Sequence, residues 1–444
     1  MRVLLVNPYI YDFTAYDLWL RPLGLLYIAA ILKKYSNCEL YWLDTLDRFA
    51  GNERTTIGNR GKYFREVVDK PDIFKNTPRL YARYGIPFQA FLEKLDTLPD
   101  IDLVLVTSLM TYWGDGVNVT IAAIRKRFPA AKIVLGGILP SLVPAPVLRA
   151  QIDADYYIAG YGEAQILPLV QALGAKVYDT PDLSHPDALP YPAVEFLTNR
   201  DALPLMTSRG CPFHCTYCAS DILNQKFIER RSESILAEIY HMHEKFGTSH
   251  FVIFDDALLI NKRNRFLNVF QQVKNTLHVR FHTPNGLHTS QIDQETAEVI
   301  YGSGFETLRL SFESTSPDIL SRSSDKVTVT QMVEAVKNLE AAGYERKNIG
   351  VYLLFGLPGQ KEAQMKSALE FVRDLGVTPN LSYYSPVPGT VDFQNLQKSA
   401  VLSSPVNLYE TNKIYFLYNK SGFTHQQIKN IKELASQIFT QIRA

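Results

Sequence analysis

Three of the four cysteines, Cys211, Cys215 and Cys218, fall within eight residues, in Ser208-Arg209-Gly210-Cys211-Pro212-Phe213-His214-Cys215-Thr216-Tyr217-Cys218. Thiolates this close can wrap one metal centre, whereas a secreted disulfide framework spreads its cysteines along the chain. A structural zinc site wants four protein ligands, and this Cys-x3-Cys-x2-Cys loop supplies three. An iron–sulfur cube wants a ligand on every iron, so three thiolates leave one iron open to an exogenous molecule. The competing reading is zinc completed by His214. Against it, a residue adjacent to Cys215 points its side chain away from a centre shared with that cysteine. Cys38, just before a predicted strand, reads as a half-buried thiol.

The elements that must position this loop come from the apolar pattern. Over residues 1–180, short apolar runs at 2–6, 40–43, 103–107, 132–135 and 156–159 alternate with helical stretches at 22–34, 117–128 and from 164 onward. Strands alternating with helices predict a doubly wound, Rossmann-like parallel sheet with ligands at the carboxyl ends of its strands. Residues 46–98 interrupt that rhythm as an insertion rich in Arg, Lys, Tyr and Phe, with a helix expected over 87–95. An insertion of this length is either a lid or binding segment, or an extra helical pair on the sheet edge. Four prolines in 178–200 mark a linker, taken as 181–200. A second series of strands follows at 205–207, 251–254, 279–282, 308–312, 349–355 and 381–384, alternating with helices. Six strand–helix repeats over 201–395 predict a partial (β/α)6 barrel whose chemistry sits at the strands' carboxyl ends. Residues 396–444 read as a helical C-terminal extension. The whole is an α/β chain.

Bulk composition excludes some classes. The formal net charge is +1 in 444 residues, so no general electrostatic argument favours nucleic acid. No apolar run approaches the ~20 residues that span a bilayer. The opening MRVLLVNPYI is too short an apolar stretch for a signal peptide, and a cytoplasmic location is expected.

Over about 201–395 the sequence resembles the radical SAM superfamily, and the cysteine spacing carries the resemblance. It implies that the open iron is chelated by the amino and carboxylate groups of S-adenosylmethionine (SAM). One electron then cleaves a sulfur–carbon bond to give methionine and a 5′-deoxyadenosyl radical that abstracts hydrogen from substrate. That electron comes from a donor such as flavodoxin or ferredoxin. The resemblance also places Tyr217, before the last cysteine, against the adenine. A cationic sulfonium cofactor calls for nearby carboxylates, and Asp255, Asp256 and Glu313 stand at strand ends, with Ser311 as a hydrogen-bonding candidate. Gly356-Leu357-Pro358-Gly359 looks like the family's Gly-rich turn after the fifth strand, and Pro386-Val387 like its sixth-strand contact to adenine. The family often continues that turn with Glu-Thr, where this chain has Gln360-Lys361.

Residues 1–180 resemble the cobalamin-binding domain that precedes many radical SAM cores. The matching pieces are Val6-Asn7-Pro8, Arg21-Pro22-Leu23-Gly24-Leu25, Thr107-Ser108 to Thr111, Leu135-Gly136-Gly137 and Gly160-Tyr161-Gly162-Glu163. The resemblance implies Ser108, Leu109 or Thr111 beneath the corrin and Gly136 and Gly137 beside its nucleotide tail. No Asp-x-His-x-x-Gly is present, as in most radical SAM relatives. The competing reading is a domain of this shape that no longer binds cobalamin. With cobalamin, the expected reaction is methyl transfer to an unactivated carbon or to phosphorus of a small-molecule substrate. Its rivals are radical rearrangement, oxidation or cyclisation, and a sensor that binds cluster or corrinoid without turnover. Methylthiotransferases of similar core carry three further N-terminal cysteines, where this chain has only Cys38. Tyr383, Tyr384 and His282 are catalytic candidates by position. His288 and Asn285 flank a strand end, and Arg230-Arg231 offer an anion contact.

Overall fold

Residues 3–6 have no solvent exposure at all, and a continuous apolar strand of this kind needs cover on both faces. The computed structural model, which describes residues 1–47, 55–56 and 60–444 (backbone alone at 55, 56 and 60), provides it. Strands β1 (Arg2–Asn7), β2 (Glu39–Asp44), β3 (Leu103–Val106), β4 (Lys132–Leu135) and β5 (Tyr156–Tyr157) form one parallel sheet in the order β5-β4-β3-β1-β2. Helices α1 (Leu23–Tyr35), α3 (Gly114–Arg127) and α4 (Ile166–Ala172) belong to the same series. Read from the other edge, the order is 2-1-3-4-5. That is a doubly wound sheet whose chain reverses direction between β1 and β3, and ligands settle in the crevice at such a switch point.

The described part of the insertion is mostly β rather than a helical pair. Tyr84 pairs with Ile10 and Arg65 in a three-stranded antiparallel sheet, and residues 16–17 and 60–62 pair in another with 55–56. One expected helix is present, α2 (Phe88–Asp96). Ile10, Leu46, Ala82, Tyr84, Tyr112 and Trp113 share a small core there. The expected binding segment at 48–54 and 57–59 lies outside the described residues. The proline-rich stretch is pinned down: Phe196 stacks on Trp42 at 5.8 Å, and Lys33 meets Glu195 at 2.7 Å.

The chain divides into two compact units, Met1–Arg200 with Ser403–Thr411, and Asp201–Leu402 with Asn412–Ala444. The second unit carries strands β6 (Ala202–Leu205), β7 (His250–Ile253), β8 (Arg280–His282), β9 (Phe305–Glu313), β10 (Ile349–Phe355) and β11 (Thr378–Tyr383). All six pair in parallel and in sequence order, as a (β/α)6 series requires. The first of them starts three residues earlier than the sequence pattern suggested. Between the strands run α5 (Ser232–Phe246), α6 (Asn268–Thr276), α7 (Gln294–Gly302), α8 (Val329–Ala342) and α9 (Glu362–Asp374). Their starts are written in the sequence: Asp293 accepts from Thr296 N at 3.0 Å, and Thr328 with Gln331 closes a capping box on α8. Next come α10 (Val391–Lys398), α11 (Lys413–Asn419) and α12 (His425–Arg443), the last packing on β11 and α9. Residues 403–411 belong to the first unit, where Thr411 Oγ1 meets Thr111 Oγ1 at 2.8 Å. Among the described residues no helix is long and apolar enough to cross a membrane.

Candidate functional site

The cysteine loop leaves β6 through a fixed exit. Asp255, at the end of β7, accepts from Thr207 N (2.7 Å), Thr207 Oγ1 (2.5 Å) and Ser208 Oγ (2.6 Å). Both carboxylate oxygens are thereby engaged by the loop, and Asp255 braces it. Ser208–Arg209 then pairs antiparallel with Ile228–Glu229, and Cys218 N closes a turn on Cys215 O at 3.0 Å.

The three thiols share one environment. Burial pushes Cys218 up to about 12, with Cys215, Asp256 and Cys211 adding to the rise, and Cys211 is raised by burial and then by Asp256 and Cys215. Thiols that obstruct one another's ionisation in this way become good ligands once a cationic centre sits among them. A single zinc draws its donors close, with bonds of ~2.3 Å to sulfur. Among the described residues only His250, His282 and Glu306 bring three donor atoms within 4.8 Å of one another. His214 is no fourth donor: its side chain is 78% exposed and faces Asp221 at 3.4 Å.

Charged groups gather around the loop. Asp256 accepts from Ser220 Oγ at 2.6 Å in a partly buried hydrogen bond and acts electrostatically on Cys211 and Cys218. Burial raises its carboxyl, and Asp255 adds to the rise. Glu313 stands at a register shift where β9 ends, with φ of 74°. A bulge with a left-handed non-glycine residue is a strained device for re-aiming a side chain. The carboxylate it aims accepts from Lys326 Nζ at 2.9 Å, and both side chains are buried. Burial alone would lower Lys326, but Glu313 and Cys215 hold it above the usual lysine range. The Tyr217 phenol is raised by burial and by Glu313, Cys215 and Cys218, which puts it beside the thiols.

Sequence reading missed the residues that lock these loops together. The Arg322 carbonyl accepts from Thr216 N at 2.9 Å, and its guanidinium bonds Pro358 O at 2.9 Å and pairs with Asp392. Asp392 N in turn bonds Thr216 O at 2.9 Å, and Ser324 Oγ accepts from His214 N at 3.1 Å. One arginine therefore joins the cysteine loop, the Gly-rich turn and the start of α10. Gln360 wires the turn itself. Its Oε1 accepts from Gly356 N (2.8 Å) and Leu357 N (3.3 Å), and its Nε2 donates to Leu354 O (2.8 Å). Gly356 has φ of 91°, and a Cβ there would meet Leu417 Cδ1 at 2.9 Å, so the close approach at that glycine is made by the protein. Pro386 is buried, and the Val387 carbonyl accepts from Thr390 Oγ1 at 2.7 Å. The Ser311 carbonyl takes Thr289 Oγ1 at 2.7 Å.

The other candidates separate. His282 bonds His250 at 2.9 Å and Thr307 at 3.1 Å, at the level of Val252 and Thr307. Thr307 is six residues before the end of β9, so His282 does not face the cysteine loop. Nearby Glu306 is paired with Arg280 at 2.9 Å. Tyr384 is buried edge-on to Phe416, and Tyr383 lies against Phe355. Arg230 is sealed in an ion pair with Glu238 at 2.6 Å, so it meets no external anion. Asn285 bonds the carbonyls of Phe254 and Asp255, each at 3.2 Å. His288 is the exception, with Nε2 at 3.9 Å from Cys211 Sγ.

In the first unit the expected residues follow the carboxyl ends of β1, β3, β4 and β5 or open α1. Asn7 Nδ2 donates to Asp44 Oδ1 at 2.8 Å, and the following Pro8 is buried. Ser108 Oγ donates to Gly136 O at 2.8 Å and accepts from Leu139 N at 3.1 Å. Gly137 has φ of 93°, and a Cβ there would sit 2.3 Å from Ser108 O, so only glycine fits. A Cβ at Gly24, Gly136 or Gly160 would meet nothing within 4 Å, which leaves bare backbone facing open space. Leu23 is half-buried, Glu163 is buried, and Thr111 is taken up by Thr411. Ser141, unremarked in the sequence, donates to Gly137 O at 2.7 Å and accepts from Gly160 N at 2.9 Å, joining two strand-end loops. Exposed glycine backbone at the strand ends of a doubly wound sheet leaves room for a ligand there.

The second unit is a parallel (β/α)6 series with three cysteines after its first strand, and the first is a doubly wound sheet with glycines at its strand ends. Residues 205–372 match the model of the radical SAM superfamily, and residues 77–169 match that of the B12 binding domain. The chain is a radical SAM enzyme carrying a B12-binding domain. It is 23% identical to the cytidylyl-2-hydroxyethylphosphonate methyltransferase of Streptomyces wedmorensis, over 98% of this chain and 89% of that protein. It is 24% identical to an uncharacterised methyltransferase of Pyrococcus horikoshii, over 66% of this chain and 68% of that one. Its fold is similar to that of the radical SAM methyltransferase TsrM from Kitasatospora setae, solved with cobalamin and a [4Fe-4S] cluster bound. The TM-score is 0.67 at 15% identity, covering 98% of this chain and 90% of TsrM.

Proposed function

We propose that Cys211, Cys215 and Cys218 hold a [4Fe-4S] cluster, that SAM sits beside it, and that the first unit holds cobalamin. The reaction is methyl transfer to an unactivated carbon or phosphorus of a small molecule. The observation that carries this reading is a loop of three cysteines, turned back on itself by Cys218 N to Cys215 O at 3.0 Å, whose own histidine, His214, faces away towards Asp221. Bound together, the cluster and SAM supply a 5′-deoxyadenosyl radical, and cobalamin supplies the methyl group. The protein's own part is to position and to seal. Asp256 would balance the cofactor's ammonium and sulfonium charge, the Glu313–Lys326 ion pair would stand beside its amino-acid end, and Tyr217 would flank its adenine. Asp255, Arg322 and Gln360 hold these groups in place through the backbone. In the first unit, the Asn7-Pro8 turn, Leu23-Gly24, Ser108, Gly136-Gly137, Gly160 and Glu163 would surround the corrin. Thr111 is placed nearby but is committed to Thr411. A reduced donor such as flavodoxin or ferredoxin would deliver the electron.

The test is anaerobic purification with cobalamin supplied, followed by iron and cobalt analysis and assay for 5′-deoxyadenosine. Iron and cobalt together, with the label of methyl-labelled SAM appearing in product, support the proposal. Label confined to SAM-derived by-products points to rearrangement, oxidation or cyclisation. Cluster without 5′-deoxyadenosine points to a sensor, and absence of both metals overturns the reading.

A further inference from the structure

His288 follows the Asn285-Gly286-Leu287 turn at the mouth of the second unit, and three features fix its ring. Its backbone is paired in parallel with Ser311, and Thr289 Oγ1 anchors the next residue to Ser311 O at 2.7 Å. A Cβ at Gly286 would lie 2.1 Å from Ser311 Oγ, so the turn can approach β9 only without a side chain there. The imidazole is stacked on Phe213, two residues after Cys211, with centroids 5.0 Å apart and planes 18° from parallel. The ring is 5% exposed, and Nε2 lies 3.9 Å from Cys211 Sγ. Nδ1 is buried and has no hydrogen-bond partner.

The orphaned nitrogen decides the tautomer. A neutral imidazole carries one N–H. Placed on Nδ1, that hydrogen would be a buried donor without an acceptor, and the Nε2 lone pair would face a sulfur lone pair. Placed on Nε2, it points at the sulfur, and the group left unpaired is an acceptor. Orphaned buried donors are the rarer of the two.

We propose that His288 is a positioning residue for the cluster, donating Nε2–H to the Cys211 thiolate and raising the cluster's reduction potential. Hydrogen bonds to cluster sulfurs stabilise the more negative, reduced state. The inference rests on the three cysteines holding a cluster, and it assigns His288 no contact with the reacting atoms.

The experiment uses the full-length, cluster-loaded protein in three forms: wild type, His288→Leu and His288→Gln. Redox titration followed by electron paramagnetic resonance gives the midpoint potential. Pulsed measurement on wild type grown with 15N-histidine reports nitrogen coupled to the reduced cluster. The expected result is a shift to more negative potential in the leucine variant, restoration by glutamine, whose amide N–H reaches a similar point, and a weak histidine coupling in wild type. If the leucine variant fails to load iron, the wild-type coupling decides. A loaded leucine variant with the wild-type midpoint, or no histidine coupling in wild type, overturns the proposal for His288 alone. A wild-type protein that takes up no iron overturns the cluster reading and this inference with it.

Discussion

Gln360 offers the sharpest test of how the Gly-rich turn is built, because a side chain of the same shape and different hydrogen count is available. In Gln360→Glu, one oxygen can still accept from Gly356 N and Leu357 N, as Gln360 Oε1 does at 2.8 and 3.3 Å. The other oxygen faces the Leu354 carbonyl, which now receives Nε2–H at 2.8 Å. Ionised glutamate has no hydrogen to give, so a net bond worth about 1 kcal/mol is lost and a buried carbonyl is orphaned at about 1–3 kcal/mol. Gln360 is 6% exposed, so water does not reach in to compensate. The second unit should therefore lose about 2–4 kcal/mol at pH 8. For a domain of roughly 200 residues each kcal/mol moves the melting midpoint by about 2–4 °C, so a fall on the order of 5–15 °C is expected. Protonating the new carboxyl restores the donor, so the deficit should shrink as pH falls. The assay is thermal unfolding by circular dichroism of wild type, Gln360→Glu and Gln360→Met at pH 5.5 and 8. A glutamate variant as stable as wild type at pH 8, or one whose deficit is the same at both pH values, would refute the two-sided amide account.

Cys215→Ser should abolish stoichiometric iron after anaerobic reconstitution, while His214→Ala should retain it, both read by iron analysis and absorbance. Gly137→Ala must shift the Ser108 loop, because its Cβ would lie 2.3 Å from Ser108 O at a φ of 93°. It should cost more than ~1 kcal/mol and reduce cobalamin retained after gel filtration, with iron content unchanged. Asp44 is pushed up to about 6 by burial, with Asp47 adding to the rise. Its folded form thus holds a proton that the unfolded form releases near pH 4. Stability contributed by Asp44 is present below that range and is lost as pH rises through about 6, for about 1–2 kcal/mol between pH 5 and 7.5. Denaturation midpoints of wild type should show that loss, and Asp44→Asn should flatten it.

How much of this was legible follows from the range of the interactions involved. Both parallel sheets were readable because residues such as 3–6 and 349–355 are apolar throughout, and a buried parallel strand has no polar face to encode. The cysteine spacing is likewise local. Pairing across long distances left weaker traces. Ile10 finds Tyr84 and Asp12 finds Ala82 through strands of three residues, too short for a period-two pattern, so the insertion's sheets went unread. Arg322, Lys326 and Asp392 are single charges in polar surroundings, and nothing in their own segments distinguishes them from solvated ones. Their partners come from elsewhere in the chain, Asp392 for Arg322 and Glu313 for Lys326. His282 sits at a strand's end in sequence, yet β8 is three residues long and pairs low on β9, a register the chain does not announce. Gln360 was noticed because it departs from the family's pattern, but its role needed the three backbone partners to be seen together.

The strain at Glu313 explains why the loop of positive-φ residues at Ser324 and Asp325 exists at all. A glycine at 313 would relieve a φ of 74°, but it would remove the carboxylate that neutralises Lys326. An ammonium buried without a partner costs several kcal/mol, far more than the ~1–2 kcal/mol of one left-handed residue. Lys326 in turn is brought to that carboxylate by two further left-handed residues, Ser324 (φ 59°) and Asp325 (φ 47°), immediately before it. Ser324 holds the His214 amide, and Arg322 holds the Thr216 amide, so the same strained loop delivers the cation and fixes the cysteine loop between its first and last sulfurs. Backbone conformations that each cost stability are thus concentrated where one short segment must satisfy two geometric demands at once. That is the distribution expected if the segment is built around the charge of what the three cysteines hold.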